Sequence, residues 1–365
     1  MPVEFPRLAA AIEQGVVKRL HTAVQVYVSV EGQVILDQGF GASSDGHPVT
    51  ADSLMLWRSA GKPVTAAAIM RLVEQGDLQL DAPLTQYLPE ATGAIGQLTL
   101  TDLLTHSSGL PLINTGWPQS DWSETLSRIL TAGPIDQSVA AYQPQSTWFL
   151  LGEILCRQLS VDSFDAALRQ TILAPFAMDD VWCGLPQTAT TTLQHRLPTY
   201  YERDKGALVD SSYGGGRWLT AASPGGNLRG PISRLGRFYE VLLRQGAGSD
   251  GRQLLRPATV QQMTQRHRTD RFDEVLQHVI DFGLGVIVDS SHHGRDTVPY
   301  GFSRYCSPRS FGHGGAQCAI GFCDPDRQLV VAWAANAFCG EGQHQRRNRA
   351  INEAIYEDLG LATSH

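Results

Sequence analysis

Lysine is scarce in this chain. Its 365 residues include 29 basic side chains, but only Lys18, Lys62 and Lys205 are lysines. The 36 acidic residues outnumber the basic ones, which gives a formal net charge of −7, and no stretch of the sequence forms a basic stripe. Because surfaces that bind nucleic acid are strongly basic, we expect no nucleic-acid partner.

Long apolar runs and export signals are also missing. No apolar run reaches the roughly 18 residues that a membrane-spanning helix needs. Residues 1–7 lack the positive charge and apolar core of a secretory signal peptide. These absences predict a cytoplasmic protein with no membrane partner. The sequence gives no indication of the oligomeric state.

Cysteine and histidine are not spaced as metal ligands. None of the six cysteines forms a Cys-x-x-Cys pair, and free thiols are expected in a chain of this length without an export signal. His292 and His293 are adjacent, but no carboxylate or cysteine stands at ligand spacing beside them. We interpret this pair as part of a loop, and we expect no metal and no cofactor.

Three common catalytic signatures are absent. The sequence has no Gly-x-Ser-x-Gly, no His-Glu-x-x-His and no Gly-x-x-x-x-Gly-Lys-Ser/Thr. These absences argue against the nucleophile elbow of α/β-hydrolases, the zinc site of many metalloproteases and the phosphate-binding loop of nucleotide hydrolases.

One short pattern that is present carries chemistry. Ser59 and Lys62 stand three residues apart, just before the apolar run 64–73. In a helix this spacing places both side chains on one face. A lysine whose pKa is lowered by burial or by cations can activate a serine. The alternative is an N-cap serine with a solvated lysine, but such a lysine opposes the helix dipole, and the following run is too apolar for a surface helix.

Strand signals lie at both ends of the chain, and helical signals lie between them. Alternating residues around the turn at Glu31-Gly32 predict a hairpin, and two amphipathic segments predict terminal helices. The predicted strands are 22–30, 33–40, 284–288, 318–323 and 329–334, and the terminal helices are 8–19 and 346–359. The simplest arrangement is an α+β fold, in which these helices flank one antiparallel sheet and a mainly helical inserted domain lies beside it.

This arrangement divides the chain into two parts. We expect a discontinuous sheet domain, 1–57 and 225–365, and a mainly helical region, 58–224, with the active site in the cleft between them. A helix is expected to open at 225–228, where Asn227 is a candidate cap. The basic stretch 266–271 is interpreted as a solvated loop. His106 is a candidate base, although a hydrogen bond within its own turn is the favoured interpretation.

Four motifs follow one another along the chain. They are Ser59-Ala60-Gly61-Lys62, the stretch Leu-Leu-Thr-His-Ser-Ser-Gly-Leu at 103–110, Tyr142 ahead of Leu150-Leu151-Gly152-Glu153, and Phe311-Gly312-His313-Gly314-Gly315. In this order they resemble the serine β-lactamase and penicillin-binding-protein family over nearly the whole chain. The class C β-lactamase-like esterases, or family VIII carboxylesterases, are the most similar branch.

The resemblance implies three catalytic residues. Ser59 would be the acylated nucleophile, and Lys62 would take its proton or keep the local potential positive. Tyr142 would be the partner base and then the acid toward the leaving group. A tyrosine can do this only if neighbouring cations lower its pKa, and Lys62 is the expected cation.

The resemblance also implies an oxyanion and substrate-binding strand. The backbone N–H groups of Ser59 and Ala316 would form the oxyanion hole. His313, Gly314 and Gly315 would border the cleft, where glycine allows substrate to approach the backbone closely.

Two departures from the family pattern bear on the substrate. The second motif, usually Tyr-x-Asn or Ser-x-Asn, reads Tyr142-Gln143-Pro144, so the asparagine that holds the amide of a β-lactam or peptide is missing. Gln143 and Gln145 are candidates to replace it. The third motif, usually Lys-Thr-Gly, begins with His313, which removes a fixed positive charge.

These departures favour a serine hydrolase that acts through an acyl-enzyme on Ser59, namely a carboxylesterase for short-chain esters or lactones. The alternatives are a β-lactamase, a D-amino-acid peptidase or amidase, or an acyltransferase of the same fold. A non-catalytic ligand-binding relative is the alternative from another class. The expected partner is a small-molecule ester, lactone or amide.

Overall fold

The structure is a computed structural model that describes residues 3–43 and 46–363. Its strands are β1 Ala23–Val30, β2 Gln33–Gly41, β3 Met55–Leu56, β4 Trp182–Cys183, β5 Tyr201–Asp204, β6 Ala207–Asp210, β7 Leu228–Gly230, β8 Phe272–Asp273, β9 His278–Val279, β10 Ile287–Val288, β11 Phe311–Gly315, β12 Ala319–Asp324, β13 Leu329–Ala335 and β14 Ala337–Phe338.

The helices are α1 Pro6–Val17, α2 Lys62–Gln75, α3 Gly93–Gln97, α4 Leu100–Leu104, α5 Trp122–Leu130, α6 Ser146–Leu159, α7 Phe164–Leu168, α8 Gln187–Thr192, α9 Arg217–Thr220, α10 Ile232–Leu243, α11 Pro257–Thr264 and α12 Glu341–Asp358. A π-helical turn, Arg169–Leu173, follows α7. Short 3-10 turns occupy Arg58–Gly61, Leu84–Gln86, Gln194–Arg196, Ser212–Gly214 and Ser291–His293.

One antiparallel sheet joins the two ends of the chain. Its six strands lie in the order β10, β11, β12, β13, β1, β2. Strand β1 pairs with β2 from the N-terminal end and with β13 from the C-terminal end, so that Val24 is opposite both Phe40 and Ala335. The predicted α+β fold, with a sheet built from both termini, is therefore confirmed.

The first and last helices cover one face of this sheet. Leu8 and Ile12 of α1 lie in one apolar cluster with Ile351 and Ile355 of α12. The Asp358 carboxylate accepts hydrogen bonds from the backbone N–H groups of residues 7 and 8, at 3.2 and 3.0 Å. The end of the last helix thus satisfies donors that the first turn of α1 leaves free.

Helix α10 covers the other face. It packs against β1, β12 and β13, and the ring of Tyr27 lies so close to Gly236 that a Cβ atom there would be 2.1 Å from Tyr27 Cδ1. A helix can approach a sheet this closely only where the side chain is a single hydrogen.

The segment 58–224 is mainly helical and adds no strand to the six-stranded sheet, and every residue of this segment is described. Helix α2 lies in this segment and ends at Gln75, and Gly76, with a φ of 88°, is its left-handed C-cap. Strand β4 pairs with β7, and β5 pairs with β14, so small sheets connect this segment to the rest of the chain. The division into two domains remains a proposal.

Two local predictions are wrong. The residues after Gly226 form β7 rather than a helix, and α10 begins only at Ile232, because Pro231 in an extended conformation precedes it. The stretch 266–271 is not simply solvated, since Arg268 is buried and pairs with buried Asp273 at 2.9 Å. A charged side chain is buried where such a partner compensates it.

Two predictions concern thiols and membranes. All six cysteines are free, as expected, and the structure places all of them in buried positions. No helix within residues 3–43 or 46–363 is both long enough and apolar enough to cross a membrane.

Candidate active site

Ser59 lies where a 3-10 turn runs into α2. The turn Arg58–Gly61 ends as α2 begins at Lys62, so the serine and the lysine are presented by consecutive turns. The Tyr142 hydroxyl donates a hydrogen bond of 2.8 Å to Ser59 Oγ, and Lys62 Nζ lies 3.1 Å from the same oxygen. The structure therefore brings together the three residues that the motifs single out.

Lys62 is fully buried, and two backbone carbonyls receive its N–H groups. Its Nζ donates to Gly225 O at 2.6 Å and to Pro144 O at 2.9 Å. Burial, with a further contribution from the Arg58 charge, holds the pKa of Lys62 well below its usual value. A neutral amine has two N–H groups and one lone pair. With both N–H groups bound to carbonyls, the lone pair is left for the Ser59 hydroxyl.

The environment of Tyr142 differs from the sequence-based expectation. Burial raises the pKa of Tyr142, and the opposing effects of the Ser59 hydrogen bond and the Arg58 charge do not overcome it. The expected net lowering of the Tyr142 pKa by cations is therefore wrong, because burial outweighs the effect of the Arg58 charge. Tyr142 rests as a phenol that donates to Ser59.

Two buried side chains hold the backbone around Tyr142. The Asp273 carboxylate accepts from the Tyr142 N–H at 3.1 Å, and His106 Nδ1 accepts from the Gln143 N–H at 3.0 Å. The His106 ring also lies 4.6 Å from the Tyr142 ring. Arg268 connects the two supports, donating to Asp273 at 2.9 Å and to His106 O at 3.0 Å.

His106 is therefore neither a base at Ser59 nor a side chain bonded to its own turn. The sequence does not reveal this role or that of the Arg268–Asp273 pair, because His106 is 37 residues from Gln143 and Asp273 is 131 residues from Tyr142. The stretch at 103–110 carries the family resemblance but does not indicate what the His106 side chain contacts. The backbone at His106 is left-handed, with a φ of 57°.

The end of strand β11 lies against the turn that carries the serine. A Cβ atom on Gly315 would be 2.1 Å from Trp57 O and 3.2 Å from Arg58 Cβ. Glycine is thus required at 315 by the close approach of two backbones. Ala316 follows directly and lines the same cavity as Ser59.

His313 and Gly314 also line this cavity. His313 Nδ1 is 2.7 Å from Gly314 O, which assigns the ring proton to Nδ1. Burial lowers the pKa of His313 to about 3, so it carries no charge at neutral pH. His313 Nε2 has no partner among the described residues.

The cavity over Ser59 has a volume of about 630 Å³. The side chains Trp117, Tyr213 and Trp218 make one of its walls aromatic, with ring centroids 4.3 Å apart for Tyr213–Trp218 and 5.1 Å apart for Trp117–Trp218. Two charged side chains, Arg58 and Glu341, also line it. A volume of this size suits a small organic ligand.

The three amide side chains considered from sequence lie in different places. Gln145 lines the cavity, with its Oε1 accepting from the Thr115 hydroxyl at 2.5 Å. Gln143 is buried outside the cavity and donates to Leu110 O at 2.6 Å. Asn227 caps no helix; its Nδ2 donates to the carbonyls of residues 218 and 221, at 3.1 and 2.7 Å.

The histidine pair lies away from this site. His292 and His293 are in a 3-10 turn, and their ligand atoms lie within 4.8 Å of an Asp270 carboxylate oxygen. The sequence could not reveal this neighbour, because it is distant in the chain. Asp281 also contacts the pair, but its carboxylate already forms an ion pair with Arg266, with Nε and Oδ2 2.8 Å apart.

Comparison with known proteins gives consistent relatives. Esterase EstB of Burkholderia gladioli is 37% identical over 111 residues, a match that spans only 28% of either chain. Esterase/beta-lactamase LipL of Mycobacterium tuberculosis (strain ATCC 25618 / H37Rv) is 26% identical over 86% of this chain and 76% of its own. The crystal structure of a family VIII carboxylesterase superposes with a TM-score of 0.75 at 21% identity, covering 97% of both chains.

A family model matches almost the full length of the sequence. The model described as Beta-lactamase aligns with residues 8–356, a range that includes the sheet, the helical segment and every residue placed around Ser59. The chain therefore belongs to the beta-lactamase family, whose fold it shares.

Proposed function

We propose that this protein is a carboxylesterase for short-chain esters or lactones that acts through an acyl-enzyme on Ser59. The observation that carries the proposal is the pair of contacts to Ser59 Oγ, 2.8 Å from the Tyr142 hydroxyl and 3.1 Å from Lys62 Nζ. An activated serine needs a base within hydrogen-bond reach, and neutral Lys62 meets that need.

In the first half of the reaction, neutral Lys62 takes the proton of Ser59 as Oγ attacks the ester carbonyl. The carbonyl oxygen becomes an oxyanion, and we assign the backbone N–H groups of Ser59 and Ala316 to stabilise it. One such donor is worth about 10²–10³ in rate in other hydrolases.

The tetrahedral intermediate then collapses and releases the alcohol. Tyr142, already protonated beside Oγ, gives its proton to the leaving oxygen, and the Lys62 ammonium restores the phenol. In the second half, water attacks the acyl-enzyme and its proton follows the reverse route. The products are a carboxylic acid and free Ser59.

Three observations support an ester rather than a β-lactam or peptide. The second motif lacks its asparagine, and Gln143 cannot replace it because its side chain donates to Leu110 O at 2.6 Å outside the cavity. Neutral His313 stands in place of the third-motif lysine. EstB and LipL, the relatives described above, are both named esterases.

The test is the intact mass of the protein after brief exposure to p-nitrophenyl butyrate, with Ser59→Ala as the control. We expect the native protein to gain one butyryl group and release nitrophenol, and the folded variant to do neither. Unchanged turnover by Ser59→Ala would refute the role of Ser59. No adduct, no nitrophenol and no labelling by a fluorophosphonate probe would favour a non-catalytic binding protein.

LipL is also named a beta-lactamase, so the β-lactam alternative is tested separately. Nitrocefin should be turned over poorly compared with p-nitrophenyl butyrate. Efficient nitrocefin hydrolysis would show that the missing asparagine and lysine do not exclude β-lactams. Amides of D-amino acids and transfer of the butyryl group to an added alcohol would be measured with the same preparation.

A further inference from the structure

The residue before the nucleophile is a cation without a charged partner. Arg58 is half-buried and lines the cavity over Ser59. Its guanidinium lies 4.5 Å from the centroid of the Tyr213 ring and 5.3 Å from that of the Phe338 ring. Within residues 3–43 and 46–363, Arg58 forms no ion pair and its side chain no hydrogen bond.

The two rings leave the hydrogen-bonding capacity of Arg58 unused. Aromatic faces attract a guanidinium through their quadrupoles, but they accept none of its in-plane N–H bonds. A guanidinium carries five such donors in a fixed fork that matches a carboxylate. Arg58 is thus held in place by stacking while its donors remain available.

The other groups around the cavity do not supply a positive charge. His313 is neutral, because burial lowers its pKa to about 3. The Glu341 carboxylate is already engaged, accepting from the Tyr300 hydroxyl at 2.6 Å, and it lies in the first turn of α12, where a helix favours negative charge. Among the described residues that line the cavity, Arg58 is the only arginine or lysine.

We propose that Arg58 binds a carboxylate on the substrate, so that the preferred substrates are esters that carry an anionic group. This inference rests on the proposed esterase function and deepens it. The aromatic side chains Tyr213, Trp218 and Trp117 continue from Arg58 along the cavity wall and would contact the apolar part of such a substrate.

The overall charge of the protein makes a local cation necessary for such substrates. A net charge of −7 repels anions at long range. A carboxylated ester is therefore retained beside Ser59 only if a specific contact outweighs that repulsion. Arg58 supplies this contact. It directly precedes the nucleophile and is not at the position of the family's third-motif lysine.

The experiment compares matched esters that differ only in this charge. One pair places the carboxylate in the acyl part, mono-4-nitrophenyl glutarate against its terminal carboxamide. The other places it in the alcohol part, 4-acetoxybenzoate against 4-acetoxybenzamide. The measured quantity is the ratio of kcat/KM for the carboxylate to kcat/KM for the carboxamide, which cancels any effect of Arg58 on Lys62.

Arg58→Gln should lower this ratio by about 10- to 100-fold in at least one pair, the factor expected for a charge-assisted hydrogen bond. Arg58→Lys should retain part of the preference for the carboxylate ester. Arg309→Gln is the matched control, because it removes an exposed arginine that pairs with Asp326 outside the cavity. Unchanged ratios for Arg58→Gln in both pairs, with turnover intact, would overturn this proposal and leave the esterase function standing.

A second measurement uses the native protein and does not depend on the folding of a variant. Salt screens exposed and half-exposed charges. Added salt removes the long-range repulsion by the net charge more completely than it weakens a contact at half-buried Arg58, so the ratio at high salt reports the contact itself. We expect the native ratio to remain above one at high salt, and a ratio at or below one would overturn the proposal. Absence of any acyl-enzyme on Ser59 would instead refute the esterase function, and the inference with it.

Discussion

At the scale of single residues, burial acts in opposite directions on the two groups beside Ser59. It lowers the pKa of Lys62 and raises the pKa of Tyr142, because a buried site disfavours whichever form is charged. The amine therefore gives up its proton readily, and the phenol keeps its own. The same lack of water creates both the base and the hydrogen-bond donor.

The first prediction concerns the pH dependence of Lys62. Only the free amine can accept the Ser59 proton, so kcat/KM for a neutral ester should rise with pH to a plateau. The midpoint should lie well below 10.5, the usual lysine value. Lys62→Met should lower kcat/KM by about 10²–10⁴-fold and remove this limb. Lys18→Met, at an exposed lysine, should change neither.

Arg58 provides a second test of the rise of kcat/KM with pH. Its charge contributes to the lowered pKa of Lys62, so Arg58→Gln should move the midpoint to higher pH for charged and neutral esters alike. A midpoint near the ordinary lysine value in the native protein would show that burial does not lower the pKa of Lys62, and a pH dependence that persists in Lys62→Met would show that Lys62 is not the base.

Residue spacing revealed Ser59 and Lys62, but it could not reveal the state of Tyr142. Ser59 and Lys62 are neighbours on consecutive turns, so their proximity follows from local geometry alone. The pKa of Tyr142 depends on how completely the folded chain excludes water from it. For the same reason, the sequence could not distinguish cavity-lining Gln145 from buried Gln143.

At the scale of elements, the site depends on two backbones that touch. The end of β11 reaches the Arg58–Gly61 turn at Gly315, where a Cβ atom would lie 2.1 Å from Trp57 O. That contact holds the strand end that precedes Ala316 against the turn that carries Ser59. The proposed oxyanion hole is therefore a property of strand and turn together.

Gly315→Ala tests this dependence. The added methyl group meets backbone and must push β11 away from the turn, so kcat/KM should fall by about 10²–10³-fold, as for loss of one oxyanion donor. The control is Gly133→Ala, because a Cβ atom at Gly133 would meet nothing within 4 Å. Circular dichroism and urea unfolding would show whether the fold survives. Full activity in a folded Gly315→Ala protein would argue against Ala316 as a donor.

Periodicity predicted the long elements, and contacts between distant residues decided the rest. The hairpin, α2 and the terminal helices follow from alternation and spacing in the sequence. Strand β7 has three residues and exists because β3 and β4 pair with it. Arg268 could not be recognised as buried, because the carbonyl of His106 that accepts its second hydrogen bond is 162 residues away and comes near only in the fold.

At the scale of the whole molecule, the interior holds several uncharged histidines. Burial lowers the pKa of His21 and His313 to about 3 and that of His106 and His344 well below the usual value. These groups bind protons more tightly in the unfolded chain, where the value is near 6.5. Their contribution to stability is complete above that pH and is lost as the pH falls toward 3.

We therefore expect the protein to be less stable at pH 5 than at pH 7.5, measured as the midpoint of urea unfolding. Most carboxylates stay ionised over this interval, so buried histidines dominate the change. His21→Gln should reduce the difference between the two midpoints, because it removes one histidine whose pKa burial lowers. His21 is chosen because it is buried away from Ser59. His195→Gln, at an exposed histidine, should leave it unchanged. Equal midpoints at both pH values would contradict this account.

The sheet that joins the two ends of the chain has a consequence for biosynthesis. Strand β1 cannot pair with β13 until Ala335, the partner of Val24, has been synthesised. Synthesis of the intervening chain takes roughly 15 to 60 seconds at about 5–20 residues per second on the ribosome. During that time β1 offers an unpaired edge and an apolar face to other nascent chains. Efficient production of this protein should therefore depend on chaperones that shield the N-terminal hairpin until translation ends.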